Sequence, residues 1–300
     1  MVRPESLMVL RQWSLPFFTA LAFLTLVGSG CSDSSTPSST TADTAGGAKG
    51  AVPADSKDPR DESLTSEQYL RLGLPAQDRE WSGDDMAKAA SVLASVARQG
   101  HGRLPKYMNE RSGEVFARLT SPQNFNLYKN RTLPLDARFP QSLNYFQAIN
   151  QVCKLYLAGF LKNDVRDSEL VELMGAQLRS TVVMIELMDE FVPTINMDDP
   201  TYQVRMQGLD QAKRGLATVV AGGLQTLTER KSYRESELVR LIGYMQETLP
   251  LIVPRLLPEA RTEILLRLQK MQDDPALKDL QPDLRELHSK VKVAVDKAAS

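Results

Sequence analysis

From Ser82 to the C-terminal end, the apolar side chains of this chain recur every three or four positions. No convincing stretch alternates apolar with polar residues. A period near 3.6 places side chains on one face of a helix, whereas a half-buried strand needs a period of two. The pattern therefore predicts an all-α fold, an antiparallel helical bundle of about four long helices with shorter flanking helices.

Ser82 is a capping residue, and Met86, Ala89, Ala90, Leu93, Val96 and Ala97 follow as one stripe that Gly100 ends. A shorter helix is predicted across 112–119. Four long helices are predicted near 141–162, 168–191, 199–230 and 235–249, with two more near 259–272 and 282–298. Asp199-Pro200 reads as an N-cap with proline at the first helical position. Pro250 and Pro254 kink or end the fourth. The links between long helices are short, so sequence neighbours should run antiparallel. In the third, Gly208, Ala212, Gly215, Val219 and Gly222 recur at spacings of four and three. Glycine costs a helix roughly 0.8–1 kcal/mol relative to alanine, so this stripe is expected to be a buried seam of close packing.

Residues 120–140 interrupt the period with Pro122, Pro134 and Pro140. They also concentrate Phe125, Tyr128 and Phe139 with Lys129, Arg131 and Arg138. This aromatic and basic segment is the expected interaction surface. The competing reading is a loop packed against the bundle.

The N-terminal residues carry an address. Arg3 and Arg11 precede an apolar stretch at 15–27, then Gly28-Ser29-Gly30 and Cys31. This arrangement resembles a bacterial lipoprotein signal with its lipobox. The apolar core is too short to cross a bilayer of about 30 Å as a helix. The resemblance implies that 1–30 are removed and that Cys31 is the lipid-attachment site, anchoring the chain to a membrane. It implies an extracytoplasmic place in the bacterial cell envelope. Ser32 after the cysteine implies the outer membrane if the cell has one. Residues 31–60 are rich in Ser, Thr, Ala, Gly and Pro, which predicts a disordered tether. Residues 61–300 form the expected single helical domain.

Removing Arg3, Glu5 and Arg11 leaves 34 basic against 36 acidic side chains, a formal charge of −2. That balance gives no reason to expect nucleic acid. Cys153 has no internal partner and sits at helical spacing from apolar neighbours, so it reads as a small core residue. His101 and His288 stand apart, no HExxH or Cys/His cluster occurs, and neither a metal nor a cofactor is expected. Met174, Met184, Met188, Met197 and Met206 lack a histidine companion and read as core filling. The carboxylate pairs Asp84-Asp85, Asp189-Glu190, Asp198-Asp199 and Asp273-Asp274 fit helix ends, not opposite walls of a cleft. The sequence points to no catalytic residue.

These observations lead to the expectation of a non-catalytic, membrane-tethered interaction or scaffold domain, with another envelope protein as its partner. An apolar-ligand or lipid carrier is the alternative, and it needs a continuous apolar pocket. A cell-wall glycan-acting enzyme is a weaker alternative, and it needs two carboxylates facing each other across a groove.

Overall fold

A computed structural model describes residues 63–229 and 232–299, and all regular elements among them are helical. Cys31, the signal-like stretch and the tether lie outside the described residues. The short helices α1 (Ser66–Arg71), α3 (Gly113–Thr120) and α4 (Asn126–Lys129) accompany the longer α2 (Gly83–Gln99). The bundle is built from α5 (Leu135–Phe160), α6 (Asp167–Phe191), α7 (Tyr202–Thr228) and α8 (Glu235–Ile252). Two last helices, α9 (Pro258–Gln272) and α10 (Gln281–Ala299), pack on each other and α10 on α8.

Local chemistry explains the starts. The Ser82 hydroxyl accepts from the Asp85 N–H at 3.2 Å while Asp85 accepts from the Ser82 N–H at 3.0 Å, a capping box. Thr65 and Gln68 form the same box at α1. Helix α5 begins earlier than the periodicity around Gln141 indicated. Pro134 is its N-cap and Pro140 lies inside it. Pro140 forfeits one backbone bond, that to the Asp136 carbonyl, where water reaches the helix. Helix α7 begins later than Asp199-Pro200 indicated. Asp199 instead folds a turn by accepting from the Thr201 N–H at 2.8 Å, and the helix opens at Tyr202. The fourth helix runs through Pro250, and Pro254 stops it in a 3₁₀ turn.

Helix directions follow from residue pairs. Arg138 meets Glu190, Ser142 meets Met184 and Asn150 meets Gln177, so α5 and α6 are antiparallel. Asp167 meets Arg234, Glu172 meets Arg240 and Arg179 meets Glu247, so α6 and α8 are parallel. Chain direction thus alternates along the sequence, and α7 makes the return between the two parallel helices. Helix α6 is the centre. Leu170, Leu173, Leu178, Ile185 and Met188 are buried, and so are Val171, Ala176, Val183 and Leu187, which project from other sides. A helix apolar around most of its circumference must be covered on several sides. Among the described residues, no helix is long and apolar enough to cross a membrane.

Two glycines permit close approach between helices. A Cβ on Gly83 would fall 1.9 Å from the Gln141 carbonyl oxygen, and one on Gly175 would fall 2.5 Å from the Tyr244 ring. The predicted seam on α7 is only partly in place. Gly208, Ala212 and Gly215 are buried, but Gly222 is exposed and a Cβ there would meet nothing within 4 Å. Gly223 takes the inner position, with Met245 Cε at 2.8 Å from where its Cβ would stand. The reason is geometric. A repeat of four and three averages 3.5 residues, which drifts about 20° per heptad on a straight helix.

Candidate functional site

The segment from Ser121 to Pro134 is fixed to the bundle from below. Asn124 is buried; it donates to the Arg118 carbonyl at 2.8 Å and accepts from the Trp81 N–H at 2.9 Å. Phe125 and Tyr128 both stand edge-on to Tyr145, with centroids 5.0 and 6.2 Å away. The Tyr145 hydroxyl donates to the Leu119 carbonyl at 3.1 Å. Phe139 packs on Phe191 at 5.8 Å.

Arg138 is the bracket. Only 5% exposed, it donates to the carbonyls of Leu133 and Tyr128, each at 3.0 Å, and to Glu190 Oε2 at 2.5 Å. The guanidinium fork suits three acceptors in different directions. Arg131 reaches the same Glu190 at 3.6 Å. Hydrogen bonding to Arg138 holds the Glu190 carboxyl below the usual carboxylate range.

Phe125, Tyr128, Arg138 and Phe139 are therefore interior residues, and of the six expected contact residues only Lys129 and Arg131 are exposed. The correction has a physical reason. Aromatic rings gain by burial, and Arg138 satisfies carbonyls that the turn would otherwise leave unpaired. The loop packed against the bundle is the reading that fits these four side chains.

Lys129 and Arg131 overhang a cleft of about 390 Å³ whose far wall is the C-terminal half of α6. Glu186, Asp189 and Glu190 line that wall at spacings of three and four, one helix face. Val183 and Leu187 contribute its apolar part. Arg255, from the turn after α8, closes the end and pairs with Asp189 at 3.1 Å. By helical spacing alone Glu186 falls on the polar side of its helix as a solvated residue, and nothing in the sequence around Arg255 marks it. The acidic spacing on α6 was visible, but its basic counterpart lies more than fifty residues away along the chain.

A second cleft, of about 750 Å³, is lined by Leu70, Gln77, Glu114, Ala117, Arg118 and Gln123 among others. Both clefts have mixed linings, and neither is the continuous apolar pocket that a carrier needs. Glu190, held ionised by its arginines, is no proton donor for glycan cleavage.

Asp84, Asp85 and Asp274 have structural partners. Asp84 accepts from Gln141 at 2.8 Å and Asn144 at 3.0 Å, and Asp85 is held by Arg79 through two bonds of 2.7 Å. Asp274 accepts from the Ala276 N–H at 2.8 Å. Burial pushes the Cys153 thiol up to about 12, far from a reactive thiolate. Among the described residues no group of three or more His, Cys, Asp or Glu side chains could hold a metal ion.

A denser ionic network joins the N-terminal parts of α6 and α8. Burial opposes the charge on Asp167, but bonds from Arg234 at 2.7–3.0 Å outweigh it and hold its carboxyl low. Glu237 lies 3.3 Å from Arg234 and 3.1 Å from Arg240. Glu172 accepts from Tyr244 at 2.8 Å and Arg240 at 3.1 Å. Arg240 and Arg179 lie over the rings of Tyr107 and Tyr244 at 5.3 and 4.6 Å. Glu169 is raised by burial although the N–H groups of Tyr107 and Arg166 donate to it. These groups pair with one another, Glu237 Oε2 alone among them being buried without a hydrogen bond, and the network clamps two helices together.

Compared with known proteins, the chain matches no protein family, no curated protein and no solved structure.

Proposed function

We propose that this chain is a non-catalytic, membrane-tethered interaction or scaffold lipoprotein of the bacterial cell envelope. Lipid on Cys31 anchors it at the extracytoplasmic face, and the 31–60 tether gives its helical domain reach. The lipoprotein-like N-terminus supports the anchor. The observation that supports interaction is the charged cleft beside Arg138. It presents both signs of charge on a rigid frame, the kind of surface that gives a protein interface its specificity.

The test is photo-crosslinking in intact envelopes. A photoreactive residue replacing Arg131, whose side chain is 84% exposed, should give a discrete adduct with one partner. The same residue replacing Val293, 64% exposed on α10, should not. Identical adduct patterns from both positions would overturn the reading.

A further inference from the structure

The cleft beside Arg138 is not uniformly neutralised. Glu190 is held by Arg138 and Arg131, and Asp189 by Arg255. Lys129, at the end of α4, and Glu186, on α6, line the same cleft, and neither makes an ion pair or side-chain hydrogen bond within the described residues. One cation and one carboxylate are left facing the same space.

That arrangement selects its occupant by charge. A ligand carrying one sign satisfies one wall and sets a like charge against the other, or strips water from it without return. A ligand carrying both signs satisfies both. The volume of about 390 Å³ admits a few side chains and not a folded domain. In an extended peptide, side chains two positions apart lie on the same face. We propose that the cleft receives an extended segment of a partner protein in which an acidic and a basic side chain are separated by one residue. The acidic side chain faces Lys129, with Arg131 beside it, and the basic one faces Glu186. This inference rests on the interaction reading above and names the chemistry of its partner.

The test uses the full chain in detergent micelles and three capped, fluorescein-labelled peptides read by anisotropy. They carry Glu-Gly-Lys, Glu-Gly-Glu or Lys-Gly-Lys. The mixed peptide should bind about fivefold more tightly than either single-sign peptide, and added salt should erase the difference. Lys129→Glu should make Lys-Gly-Lys the preferred peptide, and Glu186→Lys should make Glu-Gly-Glu preferred. The double charge reversal should restore preference for the mixed peptide. Because each variant gains a new preference, misfolding cannot imitate the result. An unchanged ranking in both single variants, or no advantage for the mixed peptide in the parent, overturns the proposal. If the adduct at position 131 persists while the rankings do not move, the cleft inference falls and the interaction reading stands. If the rankings switch but no specific adduct forms, the charge preference of the cleft stands, but its assignment to a partner segment falls with the interaction reading.

Discussion

Substituting Gly175 by alanine tests the packing of the central helix. The new Cβ would stand 2.5 Å from Tyr244 Cδ2 and 2.7 Å from Cε2. The ring has little freedom to retreat. Its hydroxyl is bonded to both Glu172 oxygens at 2.8 Å, and Arg179 lies over its face at 4.6 Å. Alanine gains roughly 0.8–1 kcal/mol over glycine in helix propensity. Overpacking costs typically 1–3 kcal/mol. Pushing the hydroxyl off its carboxylate adds about 1.5–3 kcal/mol, the worth of a bond to a charged group. The net expectation is a loss of about 1.5–5 kcal/mol. Gly222→Ala has the same propensity term with nothing to strike, so it should gain about 0.5–1 kcal/mol. Urea unfolding of the two variants should move in opposite directions. In a Tyr244→Ala background, Gly175→Ala should become stabilising. If Gly175→Ala is as stable as Gly222→Ala, or if its penalty survives removal of the ring, the account of α6–α8 packing is wrong.

Replacing Cys31 with serine should leave a protein that no longer sediments with membranes. An unchanged membrane fraction would refute the lipid anchor. Arg138→Ala should cost about 2–3 kcal/mol, below the figure for a fully buried pair because Glu190 keeps some contact with water. Arg138→Lys should recover little, since an ammonium cannot reach three acceptors as the fork does. Unfolding across a pH series should separate two kinds of carboxylate. The depressed Glu190 contributes stability above the unfolded value near 4.3, and this is lost as pH falls. The gap between parent and Glu190→Gln should therefore close in acid. The raised Glu169 has the opposite sign: its contribution is full below about 4.3 and fades as pH rises, so Glu169→Gln should gain on the parent towards neutrality. Parallel pH curves for both variants would contradict these assignments.

The helices were legible because their signals are local. The Ser82 box, the stripe from Met86 to Ala97 and Gly100 name α2 almost to the residue. Pro140 hid the true start of α5, although Phe139, Leu143 and Phe146 already continue its buried stripe. Reading proline as a stop outweighed a period that ran straight through it. Gly222 was misplaced by following a 3.5 repeat on a helix that turns at 3.6. The cleft was least legible. Lys129 and Glu186 line one cleft only because two distant segments fold together, and nothing in either segment announces the other. Composition marked residues 125–139 as unusual, but it could not say that the rings turn inward while Lys129 and Arg131 stay out.

The parallel pairing of α6 with α8 also makes the closure of the domain a non-local event. Helices α5 and α6 are joined by a short turn and can zip together as soon as both exist. The bond between Asp167 and Arg234 spans 67 positions, and all of α7 must be laid down before it can close. In the finished domain the side of α6 bearing Gly175 is covered by Tyr244 of α8, so the cover of the most apolar helix comes from a segment distant in sequence. Non-local pairings of this kind come late because the chain must lose its loop freedom before the contact repays it. The Arg234 clamp is thus one of the non-local contacts that close the domain around its most apolar helix.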